Sequence, residues 1–180
     1  MAVRHRAPGL CVALALAAGW VALAAARPQV QDQVPPPQVP PPAPLERTVA
    51  VPADAGWVDT GIDVTAGDEL RFSATGEIDL QRGNPEAVCG PGGIDLVTLD
   101  QPVPDANLGA LIGKLALPIA SRVDKDSGIE IRDEVFVLFV VGSDGAFTAP
   151  FKGRLYLGVN ENVLKDNGGA YSVVVVRRPA

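Results

Sequence analysis

The sequence has few of the side chains on which most metal and nucleophilic chemistry depends. Its 180 residues include one histidine, His5, and two cysteines, Cys11 and Cys89. Beyond residue 11 the chain has no histidine and one cysteine. That part of the chain cannot form a Ser-His-Asp or Cys-His catalytic site, a histidine-bound zinc or copper site, or an internal disulfide. We expect Cys89 to serve as a small, semi-buried apolar side chain; the alternative is a reactive thiol or an intermolecular disulfide.

Positive charge is also scarce. Fifteen Lys and Arg residues stand against 21 Asp and Glu residues, for a formal net charge of -6. Nucleic-acid-binding proteins attract phosphates through an excess of basic residues, so this balance argues against a nucleic-acid partner. The carboxylates are scattered along the chain. No pair of them lies in the apolar setting that a glycosidase acid requires, and we predict a non-enzymatic protein.

The N-terminus has the pattern of a secretory signal. Arg4, His5 and Arg6 precede an uncharged stretch, residues 9–26, which ends in small side chains. This order predicts a signal peptide at residues 1–26 and a secreted or periplasmic protein. The alternative is an uncleaved anchor in the inner membrane, with residues 7–26 as the tether, because about twenty apolar residues can span a bilayer. The alanine-rich composition favours cleavage.

A proline-rich segment follows. Residues 27–45 contain eight of the 17 prolines. Proline fixes φ and lacks a backbone donor, so this segment is expected to be an extended polyproline II linker.

The remaining residues, 46–178, have the pattern of an all-β domain. Short alternating or β-branched segments are separated by glycine and proline, which is typical of an antiparallel β-sandwich or jelly roll. We expect Trp57, Ile62 and Val64 in the core and no helix after residue 26. The strands are predicted at 48–51, 57–64, 69–74, 110–116, 129–132, 135–141, 146–149, 154–159 and 171–176.

One loop, residues 159–169, concentrates oxygen donors between two apolar strands. Calcium takes six to eight oxygen ligands from carboxylates, amides and backbone carbonyls. Glu161, Asp166 and Asn167 could supply side-chain ligands, with a backbone carbonyl from near Leu164. The alternative is a turn whose Asn and Asp side chains bond their own backbone.

Several motifs resemble the LecA-like family, the galactophilic bacterial lectins and their relatives. The similar segments, in matching order, are 57–62 (WVDTGI) with 66–68 (AGD), 89–93 (CGPGG), 109–114 (GALIGK), 153–161 (GRLYLGVNE) and 166–173 (DNGGAYSV).

The resemblance implies a galactose-binding-like β-sandwich that holds one calcium ion, through which a sugar is bound. Its implied ligands are the side chains of Glu161, Asp166 and Asn167 and the backbone carbonyls of Leu80 and Leu164. Glu161, Asp166 and Asn162 would contact the ligand. The predicted function is a secreted, calcium-dependent carbohydrate-binding module. The alternative is a non-catalytic structural or interaction domain, in which calcium only stabilises the loop or is absent.

The chain departs from the lectin pattern in two places. Residues 92–96 contain no histidine where the galactophilic lectin uses one to contact its sugar, and residues 117–133 form an apparent extra hairpin.

The signal peptide can be tested directly. We expect the mature protein, recovered from the periplasm or medium, to begin near Arg27, because the small residues before it suit signal peptidase. Mass spectrometry of the purified protein gives this terminus. Full-length chain confined to the membrane fraction would support the anchor instead.

Overall fold

Alternating apolar side chains build the strands. In the segment Glu69–Asp79, the side chains of Leu70, Phe72, Ala74 and Ile78 are buried while those between them are exposed. Such period-two burial is expected of a strand with one face on a core and the other in solvent.

The computed structural model describes residues 43–98, 101–125, 128 and 130–180. The predicted signal peptide and most of the predicted linker lie outside this part of the chain. The strands are β1 (Leu45–Pro52), β2 (Val58–Val64), β3 (Glu69–Asp79), β4 (Val88–Cys89), β5 (Leu111–Val123), β6 (Glu130–Val140), β7 (Asp144–Thr148), β8 (Gly153–Val159) and β9 (Gly168–Arg178). A single 3-10 turn, Pro85–Ala87, precedes β4.

Two antiparallel sheets face each other across one core. The first has the order β1-β9-β3, and β7 and β4 pair with the other edge of β3. The second has the order β2-β8-β5-β6. The core takes Val51, Leu70 and Val173 from the first sheet and Leu115 and Leu155 from the second. The all-β, antiparallel sandwich predicted from the sequence is confirmed.

The strand predictions differ from the structure in three details. The two strands predicted at 129–132 and 135–141 are one strand, β6, and the short β4 was not predicted. The apparent extra hairpin at 117–133 is the outer part of the β5–β6 hairpin, in which Leu117 pairs with Val135 and Val123 with Glu130.

The prediction that Trp57 lies in the core is wrong. Ile62 and Val64 point into the core, as expected. Trp57 lies an odd number of residues before both of them, so strand alternation places it on the opposite face, just before β2. Its side chain is 37% exposed and lies over Gly158. Strand alternation therefore outweighs the hydrophobicity of the indole here.

Cys89 is a buried free thiol, as the sequence predicted. Its Sγ lies 3.6 Å from the hydroxyl of the buried Tyr171, and burial raises the pKa of the thiol. Cys89 therefore packs as an apolar residue.

No helix among the described residues is long and apolar enough to cross a membrane.

A buried carboxylate fastens the end of β9 to the β2–β3 turn. Asp68 is fully buried and accepts hydrogen bonds from the backbone N–H and hydroxyl of Thr65, from Nε of Arg177 at 2.7 Å, and from the N–H of Ala180. Burial alone would raise the pKa of Asp68, but these hydrogen bonds outweigh it and hold that pKa below its ordinary value. The charged form of Asp68 therefore stabilises the fold.

We predict that Asp68→Asn lowers the free energy of unfolding near neutral pH by about 3 kcal/mol, because Arg177 loses a buried partner. The folded-state pKa of Asp68 is lowered, so its contribution is present above the unfolded value of about 3.9 and is lost as the pH falls through the folded value. In urea unfolding, the difference between wild type and variant should shrink from neutral pH to about pH 3. A difference that does not change with pH would contradict this role.

Candidate functional site

The pairing of β3 with β9 positions the predicted loop. The ladder runs from Glu69 opposite Arg178 to Asp79 opposite Gly168, so the residues that follow β3 lie beside those that precede β9. Arg82 joins the two segments. Its backbone N–H donates to the carbonyl of Asp166 at 3.1 Å, and its Nη2 donates to the carbonyl of Asn167 at 2.7 Å. The strand register thereby brings the loop that contains Leu80 against Asp166 and Asn167.

Asn167 has a buried oxygen without a partner. The residue is fully buried, and its Nδ2 donates to the carbonyl of Ala53 at 3.1 Å. A carbonyl can only accept, which fixes the orientation of the amide and identifies the other atom as Oδ1. That oxygen has no hydrogen-bond partner. Since an unsatisfied buried acceptor costs about 1–3 kcal/mol, it indicates a group that is not part of the chain.

The two carboxylates of the loop differ in how they are held. Oε1 of Glu161 accepts from the backbone N–H groups of Asn162 and Val163, both at 2.8 Å. This anchors the side chain to its own loop and leaves its second oxygen available. The carboxylate of Asp166 is exposed and has no partner among the described residues. The carbonyl of Leu164 accepts the N–H of Asn167 at 3.3 Å.

A cavity of about 440 Å³ gathers part of the predicted ligand set. Leu80, Glu161 and Asp166 all border it. Ile94, Leu96, Leu108 and Val163 form an apolar wall of this cavity, and the polar residues Gln81, Asn84 and Glu86 also border it. This wall includes the segment where the lectin pattern has a histidine, and two of its side chains, Leu96 and Val163, are at least half exposed. The cavity therefore combines oxygen donors with apolar surface.

A second, smaller cavity lies on the other side of Glu161. It measures about 150 Å³, and Glu161, Asn162 and Leu164 border it together with Trp57. Of the predicted site residues, Leu80 and Asp166 border only the larger cavity, Asn162 and Leu164 border only the smaller one, and Glu161 borders both. Asn167 borders neither cavity.

Asn160 is a structural residue of the site that the sequence did not single out. It is fully buried; its Oδ1 accepts the N–H of Val103 at 2.8 Å, and its Nδ2 donates to the carbonyls of Val103 and Asn107. It thereby ties the loop before β5, which contributes Pro102 and Leu108 to the two cavities, to the end of β8. An Asn after an apolar strand is typical of a turn, so no sequence signal distinguished it.

The donor set fits a calcium ion. Calcium accepts a mixture of carboxylate, amide and carbonyl oxygens, and the unpartnered oxygen of Asn167 lies on the same loop as the two carboxylates. No group of three or more His, Cys, Asp and Glu side chains in the described part of the chain is placed to hold a metal. A site here therefore depends on amide and backbone oxygens for most of its ligands.

Comparison with known proteins finds similarity to solved structures. No family model and no curated protein matches the chain. Among solved structures, it is similar to the EclA N-terminal domain, a PllA-like lectin, with 20% sequence identity and a TM-score of 0.49 over 73% of this chain and 95% of that one. The function of this chain is accordingly inferred from its own geometry.

We predict that Asn160→Ala lowers the free energy of unfolding by about 2–3 kcal/mol, because three hydrogen bonds are lost and their partners are left in a covered loop. Hydrogen exchange at the amide of Val103 should accelerate. Asn107→Ala is the matched control, since the side chain of Asn107 makes one exposed bond, to the carbonyl of Gly92. Equal effects of the two substitutions would contradict the role assigned to Asn160.

Proposed function

We propose that this protein is a secreted, non-enzymatic module that binds carbohydrate through a calcium ion. The observation that carries the proposal is the fully buried, unpartnered Oδ1 of Asn167. A calcium ion would satisfy that oxygen, and the two carboxylates of the same loop would balance its charge. The LecA-like motifs in the sequence imply the same function.

The residues that would hold calcium are those predicted from the sequence. Glu161, Asp166 and Asn167 would contribute side-chain oxygens, and Leu80 and Leu164 would contribute backbone carbonyls. Two carboxylates and several neutral oxygens suit a hard dication. The calcium ion would supply open coordination positions that the vicinal hydroxyls of a sugar can take in place of water.

The chain's own residues would form the rest of the sugar site. The apolar wall of Leu96 and Val163 would pack against the C–H groups of a sugar ring, since burial of exposed apolar surface is favourable. The oxygen of Glu161 that its own loop leaves free would also accept a hydrogen bond from a hydroxyl of the bound sugar.

A second candidate is a structural or interaction module in which calcium only stabilises the loop. The apolar wall favours it, because Ile94, Leu96 and Leu108 offer no side-chain hydrogen bond where the lectin pattern has a histidine. A glycan array probed with the full chain in calcium and again in chelator separates the two candidates. Calcium-dependent glycan binding supports the lectin-like function, whereas stabilisation by calcium without glycan binding supports the structural one.

The metal site is tested by thermal unfolding of the full chain. Calcium that binds only the folded state stabilises it by about 2.7 kcal/mol at a hundredfold excess over Kd. For a domain of this size we expect Tm to rise by roughly 5–10 °C. Asp166→Asn should reduce this rise strongly, because it removes one of the two charges in the ligand set.

The matched control is Asp63→Asn, which removes an exposed carboxylate that pairs with Arg154 on β8, outside the loop. Calcium should raise the Tm of this variant as much as it raises the Tm of wild type. An identical Tm for wild type in calcium and in chelator would refute the metal site and, with it, the proposed function.

A further inference from the structure

The smaller cavity has the construction of a binding subsite. Its volume of about 150 Å³ corresponds to roughly five water molecules of liquid. The indole of Trp57 and the side chains of Pro102 and Leu164 form its apolar walls, and Asn162 and Glu161 border it with polar groups. It shares Glu161 with the larger cavity that would hold the calcium-bound sugar.

Trp57 is supported from beneath and is partly open to solvent. Its ring lies against Gly158, where an added Cβ would come within 3.1 Å of the ring atom Cε3. A side chain at this position would require the indole to shift by a few tenths of an ångström. The glycine therefore lets the ring lie close to β8, while 37% of Trp57 remains exposed. A large aromatic surface that is held in place and yet exposed beside a cavity is typical of a binding surface.

Lys114 lies over three neighbouring aromatic rings, one of which is Trp57. Nζ of Lys114 lies 5.2 Å from the ring centroid of Tyr156 and 5.7 Å from that of Phe136, and it pairs with Glu134 at 2.8 Å. These rings surround a cation of the chain itself, and neither borders the small cavity. Trp57 also lies near this cation, at 5.4 Å, but it alone of the three rings also borders the cavity.

The polar groups of the cavity are unused by the protein. The side chain of Asn162 is exposed and has no hydrogen-bond partner among the described residues, and one carboxylate oxygen of Glu161 remains after Oε1 is bound by its own loop. A sugar ring presents an apolar face and a rim of hydroxyls. An indole wall with an amide and a carboxylate beside it matches both features.

We propose that this cavity is a second sugar subsite, and that the ligand is therefore an oligosaccharide. One sugar unit would bind at the calcium loop, and the adjoining unit would extend past Glu161 and stack on Trp57. This inference rests on the proposed function, since it places the second unit relative to the first.

The experiment compares monosaccharides with disaccharides on the full chain in calcium. The chain has two tryptophans, Trp20 and Trp57, so Trp20→Phe makes Trp57 the only source of indole fluorescence. The probes are galactose with lactose and melibiose, glucose with maltose, and mannose with α-1,2-mannobiose. We expect at least one disaccharide to bind about tenfold more tightly than its monosaccharide and to shift the emission of Trp57, while the monosaccharide leaves the emission unchanged.

Three variants, measured by calorimetry, locate the effect. Trp57→Ala should abolish the tenfold gain and retain the monosaccharide affinity, and Asn162→Ala should reduce the gain several-fold. Phe136→Ala is the control, an exposed aromatic residue of the same sheet that does not border the cavity. It should retain the gain. Because Asn162 is an exposed loop residue, its variant keeps the test available if Trp57→Ala does not fold.

Two outcomes would overturn the inference, and they are distinguishable from failure of the proposed function. Monosaccharide binding with no gain for any disaccharide would leave the calcium site as proposed and refute the second subsite. A gain that persists in both Trp57→Ala and Asn162→Ala would place the second unit elsewhere. If wild type binds none of these sugars, the carbohydrate function and the inference both fail, whatever the calcium melts show.

Discussion

The ladder between β3 and β9 is the constraint on which the candidate site depends. It extends over the whole of β3, from Glu69 to Asp79, and a shift of one strand by one residue would turn the buried face of that strand outward. At its end, Gly169 has a φ of +79°, and a Cβ there would lie 2.5 Å from the carbonyl oxygen of Glu77. Only glycine permits this close pairing, which delivers Asn167 to the loop that follows β3.

Two buried asparagines in the same loop illustrate how structural and functional polar groups can be distinguished. Asn160 uses both ends of its amide within the protein, so it is explained by the loop that it holds. Asn167 uses only its nitrogen, although it is equally buried. A buried acceptor of this kind is ordinarily satisfied by a bound water molecule or ion, so Asn167 Oδ1, unlike the amide of Asn160, calls for a partner from outside the chain.

The sequence predicted the strands well because period-two alternation is a local property. It also predicted a loop between the strands that became β8 and β9, since Asn, Asp and Gly concentrate there. The metal-binding role of Glu161, Asp166 and Asn167 stays a prediction. It misplaced Trp57, because hydrophobicity was given more weight than the alternation that Ile62 establishes. The residues that line the cavities could not be predicted from local sequence patterns. Leu96 and Leu108 belong to segments without periodicity. Long-range contacts bring them to the site, among them the bridge between Ile94 and Leu108, the hydrogen bond from the N–H of Leu108 to the carbonyl of Leu96, and the bond from Asn160 to the carbonyl of Asn107.

Glu161 borders both cavities and also holds its own loop in place. Glutamate has one methylene more than aspartate, and here that length lets Oε1 reach back to the N–H groups of Asn162 and Val163. The loop is thereby ordered by its own side chain, and Arg82 holds its far end through the carbonyls of Asp166 and Asn167. When a loop is already ordered before the ligand binds, less of the binding free energy is lost to ordering the chain. Glu161 can therefore orient the loop and still offer one oxygen at the boundary where the two cavities meet.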